Sequence, residues 1–244
     1  MTIPLPPGAQ VLPDADAVAR AAADHLVAVC ADAPGDRVAI CLSGGSTPKR
    51  LYALLAGPEY VSRVPWDRIH WFFGDDRVVP WDDALSNVRM VREAFGHGAP
   101  IPATHLHFIP SDLGAEAGAA AYARTLRDFY GADALEPGRP LFDLVLLGLG
   151  EDGHTASLFP GKPALQEAAA WAAPVPEAGM TPFVPRITLT YPALGSSRWV
   201  LFLATGAGKR DPLRRLADGE DLPAAHVTSV GQMVWLLDAA AVEA

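Results

Sequence analysis

Positive charge is scarce in this chain. Nineteen lysines and arginines stand against 28 aspartates and glutamates, a formal charge of −9 over 244 residues. That balance excludes the basic face that nucleic-acid binding requires, and an anionic ligand must be met locally, by a few Arg and Lys or by helix N-termini. Long apolar runs are missing too: none approaches the ~18 residues of a spanning helix, so no membrane contact is expected. The opening Met-Thr-Ile-Pro-Leu-Pro-Pro has no basic stretch before an apolar core, so no secretory signal is expected and the chain reads as cytoplasmic. Cysteine is limited to Cys30 and Cys41, each inside an apolar segment, which predicts two buried, reduced thiols and no disulfide. Two catalytic signatures are absent as well. There is no Gly-x-Ser-x-Gly elbow of a serine hydrolase and no Gly-Lys-Ser/Thr ending of a P-loop.

What is present is enough for a full core: 50% of residues are hydrophobic and 19% charged. Helical and strand patterns alternate along the chain. Helices are predicted over Asp14–Ala31, Lys49–Ala56, Asn87–Phe95, Ala115–Tyr130 and Lys209–Ala217, and strands over Arg37–Leu42, Ile69–Phe73, Asp143–Gly148, Arg186–Thr190, Arg198–Ala204 and near Val234–Leu237. Such alternation predicts an α/β, Rossmann-like fold, a mostly parallel sheet with helices on both faces. The Pro/Gly stretches at 96–102, 137–140 and 174–185 read as loops between elements, no repeat is visible, and a single domain over 1–244 is expected, with the irregular 160–185 segment a candidate cap.

In such sheets ligands bind outside the carboxyl ends of the strands. Polar, glycine-rich sequence follows predicted strands at four places: Ser43–Thr47, Gly74–Arg77, Gly148–His154 and Thr205–Lys209. In the first, Gly44 and Gly45 let the backbone approach a ligand, while Ser43, Ser46 and Thr47 offer hydroxyls ahead of a helix; the pattern suits a phosphate, or merely a well-capped turn. In the second, Asp75, Asp76 and Arg77 suit sugar hydroxyls, metal or phosphate, Arg77 bidentately, unless they pair internally. Asn87, beside Ser86, begins the next helix and reads as a further contact or an N-cap residue. Lys209 is placed as a second cation, and Arg186 as either an edge charge or a third anion contact.

The stretch 142–160 concentrates titratable groups most tightly, with Glu151, Asp152 and His154 on a glycine-rich turn after an apolar strand. Gly148-Leu-Gly-Glu-Asp-Gly matches Gly-x-Gly-x-x-Gly. A dinucleotide site is nevertheless excluded, because Phe159-Pro-Gly follows within six residues of Gly153 and leaves no long helix for a pyrophosphate. His154 is better read as a general base held by Asp152, against a capping or core-satisfied histidine. His105 and His107 face one way on a strand but lack a third ligand, so no metal site is expected.

Leu-Ser-Gly-Gly-Ser-Thr-Pro (42–48), Phe-Gly-Asp-Asp-Arg-Val-Val-Pro (73–80), Gly-Leu-Gly-Glu-Asp-Gly-His-Thr-Ala-Ser-Leu-Phe-Pro-Gly (148–161) and Arg-Ile-Thr-Leu-Thr (186–190) together resemble the 6-phosphogluconolactonases, in that family's order and across nearly the whole chain. The resemblance implies a Rossmann-like sheet, hydrolysis of a phosphosugar lactone, 6-phospho-D-glucono-1,5-lactone, in the oxidative pentose phosphate pathway, and no cofactor. The glucosamine-6-phosphate deaminases carry a related Asp-Gly-His motif, followed there by Ile-Ala-Phe-Asn-Glu-Pro; here Thr-Ala-Ser-Leu-Phe-Pro follows His154 and supplies no acid. A deaminase-type enzyme and a non-catalytic sugar-phosphate sensor are the alternatives. Asp76 stands where Glu is usual among the lactonases, which leaves open how Arg77 is held.

Overall fold

The structure is a computed structural model that describes residues 4–243; the first three residues of the N-terminal stretch read for a signal, and Ala244, lie outside them. Nine strands alternate with seven helices among the described residues. In chain order these are β1 (Ala9–Leu12), α1 (Ala15–Asp32), β2 (Val38–Leu42), α2 (Ser46–Leu55), β3 (Ile69–Phe73), β4 (Asp75–Arg77), α3 (Asn87–Phe95), α4 (Ala115–Tyr130) and β5 (Phe142–Gly148). There follow β6 (Ala172–Val175), β7 (Arg186–Leu189), α5 (Tyr191–Gly195), β8 (Ser197–Ala204), α6 (Arg210–Ala217), β9 (Gln232–Asp238) and α7 (Ala239–Val242).

Six strands form one wholly parallel sheet in the order β1-β9-β8-β5-β2-β3. All five residues of β2 are buried, as is the centre of β5, the near-continuous apolar pattern of strands covered on both faces. α1 supplies part of that cover: the Asp14 side chain accepts from the Ala17 N–H at 2.8 Å to start the helix, and Val18, Ala22, Leu26 and Val29 form its buried stripe. Both cysteines are buried and free.

The expected parallel sheet is therefore present, with three additions. β1 joins as an edge strand. α2 begins at Ser46, ahead of the predicted Lys49, because Pro48 fits a first helical turn where no N–H is needed. Most consequential is a second, three-stranded antiparallel sheet in the order β4-β7-β6. Its β4 lies within a segment read as loop, and its β6 within the segment read as an irregular cap. Strands of three and four residues are too short to show a period of two.

Two tyrosines tie off strand ends where the chain leaves the main sheet. The Tyr52 hydroxyl accepts from the Ser43 N–H at 2.9 Å and donates to the Ser43 carbonyl at 2.8 Å. Tyr122 does the same for Phe73, at 2.8 and 2.9 Å. Each buried phenol satisfies one donor and one acceptor that the ladder would leave unpaired.

At the far edge, on β3, His70 Nδ1 lies 3.0 Å from His107 Nε2, and the His70 ring stacks on His105 at 4.1 Å between centroids. Burial and the charge of His105 push His70 and His107 down to about 4; His107 and Arg37 add to the shift of His70. Stacked rings aim their nitrogens along near-parallel planes, which is poor geometry for sharing one metal. The unfolded chain binds these protons more tightly than the folded one, so their stability contribution is complete above about pH 6.5 and lost as pH falls toward 4. The urea midpoint is expected to drop between pH 7 and 4.5, and His70→Gln is expected to flatten that drop; an identical slope in the variant would refute the linkage.

Candidate active site

The main sheet changes direction between β2 and β5. From β2 the chain moves outward to β3, whereas from β5 it moves the opposite way to β8. The loops leaving these neighbouring strands therefore diverge and open a crevice at their carboxyl ends. The two loops are Ser43–Gly45 and Leu149–His154, each with two glycines.

On the β2 side the chain passes Gly45, at φ 107° and so in a glycine-favouring conformation, directly into α2. No side chain caps this helix, and no protein acceptor meets the amides of residues 44–47 among the described residues. These free N–H groups and the positive end of the helix dipole face the crevice, flanked by the Ser46 and Thr47 hydroxyls. Thr47 Oγ1 lies 2.6 Å from Thr205 Oγ1, which ties this loop to the end of β8.

Gly44 has a different job from the one its sequence suggests. A Cβ placed there would fall on the Asn87 amide, 2.8 Å from Cγ and 2.9 Å from Nδ2. The missing side chain admits Asn87. Asn87 then donates to the Asp75 carbonyl at 2.9 Å and to its Oδ1 at 3.4 Å, while Ser157 donates to Asp75 Oδ2 at 2.6 Å.

The small sheet delivers the cations. Its register places Arg77 of β4 directly opposite Arg186 of β7, an arrangement of like charges that destabilises a sheet unless something else uses it. Among the described residues neither guanidinium has a carboxylate within 4 Å, and the Nε of each is buried without a hydrogen-bond partner. Arg77 is held by the Leu85 carbonyl at 2.5 Å, and Arg186 by the Pro182 carbonyl at 2.9 Å. Burial, and then the charge of Arg77, lower the Arg186 pKa against the opposing pull of Asp75 and Asp76. Lys209, from the turn after β8, also lacks an ion pair among the described residues; burial lowers its pKa against the opposing pull of Glu151 and Asp152.

Asp76, the residue left open above, does not pair with the Arg77 guanidinium. Its buried carboxylate accepts from the backbone N–H of Arg77 at 2.8 Å, from that of Asn87 at 2.7 Å and from the Ser86 hydroxyl at 3.1 Å. It therefore fixes the start of α3 and the main chain of Arg77. Burial pushes it up to about 6, against these hydrogen bonds.

On the β5 side the loop folds back on itself. The Gly150 N–H donates to the His154 carbonyl at 2.8 Å, and the Gly153 N–H to the Gly150 carbonyl at 3.0 Å. Asp152 Oδ1 accepts from the His154 backbone N–H at 3.0 Å and lies 2.5 Å from His154 Nδ1. Burial raises the Asp152 pKa, but the hydrogen bond and charge of His154 outweigh it and the net shift is downward. With Nδ1 held as donor, Nε2 is the acceptor nitrogen, and it has no protein partner among the described residues. The Gly150 N–H is thus spent within its own loop, whereas the amides of residues 44–47 meet no protein acceptor among the described residues.

One cavity of about 510 Å³ is lined by Ser43, Gly44, Gly45, Ser46, Thr47, Asp75, Arg77, Asn87, His154, Arg186 and Lys209. Every contact residue expected from the sequence is thus brought together; Asp152 stands behind His154 rather than on the wall. Sequence reasoning missed Met180, Thr181 and Ala156 on the same wall, as well as Ser157 beneath Asp75. Ala156 carries a signal visible only in three dimensions, a φ of 47° in a residue other than glycine.

Fold and cavity together define a Rossmann-like α/β protein with a strand-end site for a small anionic ligand. Residues 13–235 match the family described as glucosamine-6-phosphate isomerases/6-phosphogluconolactonase. The chain is 39% identical to a 6-phosphogluconolactonase of Nostoc sp. over 95% of each chain, and 38% identical to that of Homo sapiens over 88% of this chain and 83% of the other. Among solved structures, the 6-phosphogluconolactonase from Trypanosoma cruzi superimposes with a TM-score of 0.85 at 30% identity, covering 97% of this chain and 96% of that one. The chain belongs to the glucosamine-6-phosphate isomerase/6-phosphogluconolactonase family.

Proposed function

We propose that the protein hydrolyses 6-phospho-D-glucono-1,5-lactone to 6-phosphogluconate, and that His154 is its general base and then its general acid. The names of the relatives support the reaction. The observation that carries the site is the facing pair Arg77 and Arg186, two carboxylate-free guanidinium groups on the wall that His154 shares.

In this reading the 6-phosphate is met by Arg186, Lys209, Arg77 and the amides and hydroxyls of residues 43–47, supplying in one place the positive charge the chain otherwise lacks. Asp75, fixed by Asn87 and Ser157, and Asn87 itself face the sugar hydroxyls. His154 Nε2 takes a proton from the water whose oxygen bonds to C1, and free amides among residues 44–47 stabilise the oxyanion. The C1–ring oxygen bond then breaks, and the imidazolium gives its proton to the departing ring oxygen. Asp152 holds the tautomer and stabilises the intermediate cation. No step calls for a metal or cofactor.

The test is proton release from freshly generated phosphogluconolactone, read against an enzyme-free blank because the lactone opens slowly by itself. Acceleration proportional to enzyme concentration is expected. A rate equal to the blank, or ammonia release from glucosamine 6-phosphate, would defeat the reading.

A further inference from the structure

Gly150 is not at a positive φ, so its backbone does not demand glycine. The space does. A methyl group built on its Cα would meet His154 Nδ1, Cε1 and Cγ, the last at 2.8 Å, where carbon contacts normally lie at about 3.5–4.0 Å. All three of its nearest neighbours belong to that one ring. On another side the ring packs on Phe159, at 4.6 Å between centroids. Phe159 in turn rests on Gly179, whose own Cβ would fall 2.8 Å from the Phe159 Cβ. The imidazole therefore occupies a slot with Gly150 as one wall and Phe159 as another.

We propose that Gly150 is a positioning residue for the reaction: the absence of its side chain is what seats the His154 imidazole with Nδ1 on Asp152 and Nε2 unpartnered. The proposal rests on the reading of His154 as general base. A side chain at 150 would occupy the ring's position and tilt or expel the imidazole, since the hydrogen bond between the Gly150 N–H and the His154 carbonyl prevents the two Cα atoms from separating. Arg77, Arg186 and the amides of residues 44–47, carried by β4, β7 and the start of α2, would be left as they are.

The test is a cycle of Gly150→Ala, His154→Ala and the double variant, all read on the full chain. Gly150→Ala is expected to lower kcat on the order of 10²-fold, the scale of a misplaced reacting group, with KM within about twofold. The double variant is expected to be no slower than His154→Ala, and the low-field proton on His154 Nδ1 is expected to shift or vanish in the Gly150→Ala NMR spectrum. Melting temperature should fall by about 5 °C in the otherwise unaltered chain and hardly at all in the His154→Ala background, where the slot is empty. If Gly150→Ala fails to fold, recovery of folding in the double variant carries the same support. An equal loss of stability in both backgrounds, a double variant that also fails to fold, or an unmoved Nδ1 proton with unaltered kcat would overturn the proposal. A displaced ring with full kcat would overturn the general-base reading beneath it, a failure distinguishable by its NMR shift.

Discussion

Replacing His154 by alanine is expected to cut kcat by ~10²–10⁴-fold, the usual contribution of a positioned acid–base group, with little change in KM. The split follows from where the ring sits. His154 Nδ1 is committed to Asp152 at 2.5 Å, leaving Nε2 for the proposed attacking water, whereas the proposed phosphate contacts lie on α2, β4, β7 and the turn at Lys209. An interaction made only in the transition state lowers kcat and kcat/KM together. The loop should survive the change, because its closure uses the backbone bonds of Gly150 and Gly153. Initial rates across lactone concentrations, corrected for spontaneous opening, decide it. A variant that keeps wild-type kcat would remove His154 from the mechanism.

The second large effect is expected at Arg186, with the opposite kinetic signature. Arg186→Met should raise KM by about 10–10²-fold, since a hydrogen bond to a charged group contributes roughly 1.5–3 kcal/mol and each ~1.4 kcal/mol is tenfold. The free protein should not lose stability. Arg186 is 3% exposed, faces Arg77 across the ladder and lacks a carboxylate, and a buried cation so placed is tolerated rather than favoured. Inorganic phosphate is expected to raise the melting temperature of the wild type and to do so less in Arg186→Met, as a ligand that binds only the folded state must. An unaltered KM together with an unaltered phosphate response would show that Arg186 does not contact the anion.

Among the described residues, an alanine at φ 47° and two buried arginines without a carboxylate partner are features that a fold selected for stability alone would avoid. The half-buried histidines at the far edge differ. Among the described residues they are not part of the cavity lining, and the effect expected of them is on acid stability.

Much was readable from the chain alone because it is encoded locally. A buried strand such as Leu144–Leu147, a glycine-rich turn and a carboxylate two residues before a histidine lie within about ten positions, and burial periodicity and turn chemistry act over that range. That is why the parallel sheet, the four strand-end loops and the His154–Asp152 pair could be expected before any coordinates. That a side chain at 44 would collide with Asn87, and one at 150 with the His154 ring, was not legible in the sequence, because each clash is set by how the chain folds around it.

The scarcity of positive charge that the sequence shows determines that an anion must be met by a few local groups, and the order of strands and glycine turns determines at which end of the sheet. Only the tertiary structure decided which groups. Arg77 and Arg186 are more than a hundred residues apart and become neighbours through one antiparallel register, and Ser157 reaches Asp75 across 82 positions. Register between distant strands is fixed by the packing of whole faces, a sum over many side chains that no local stretch contains.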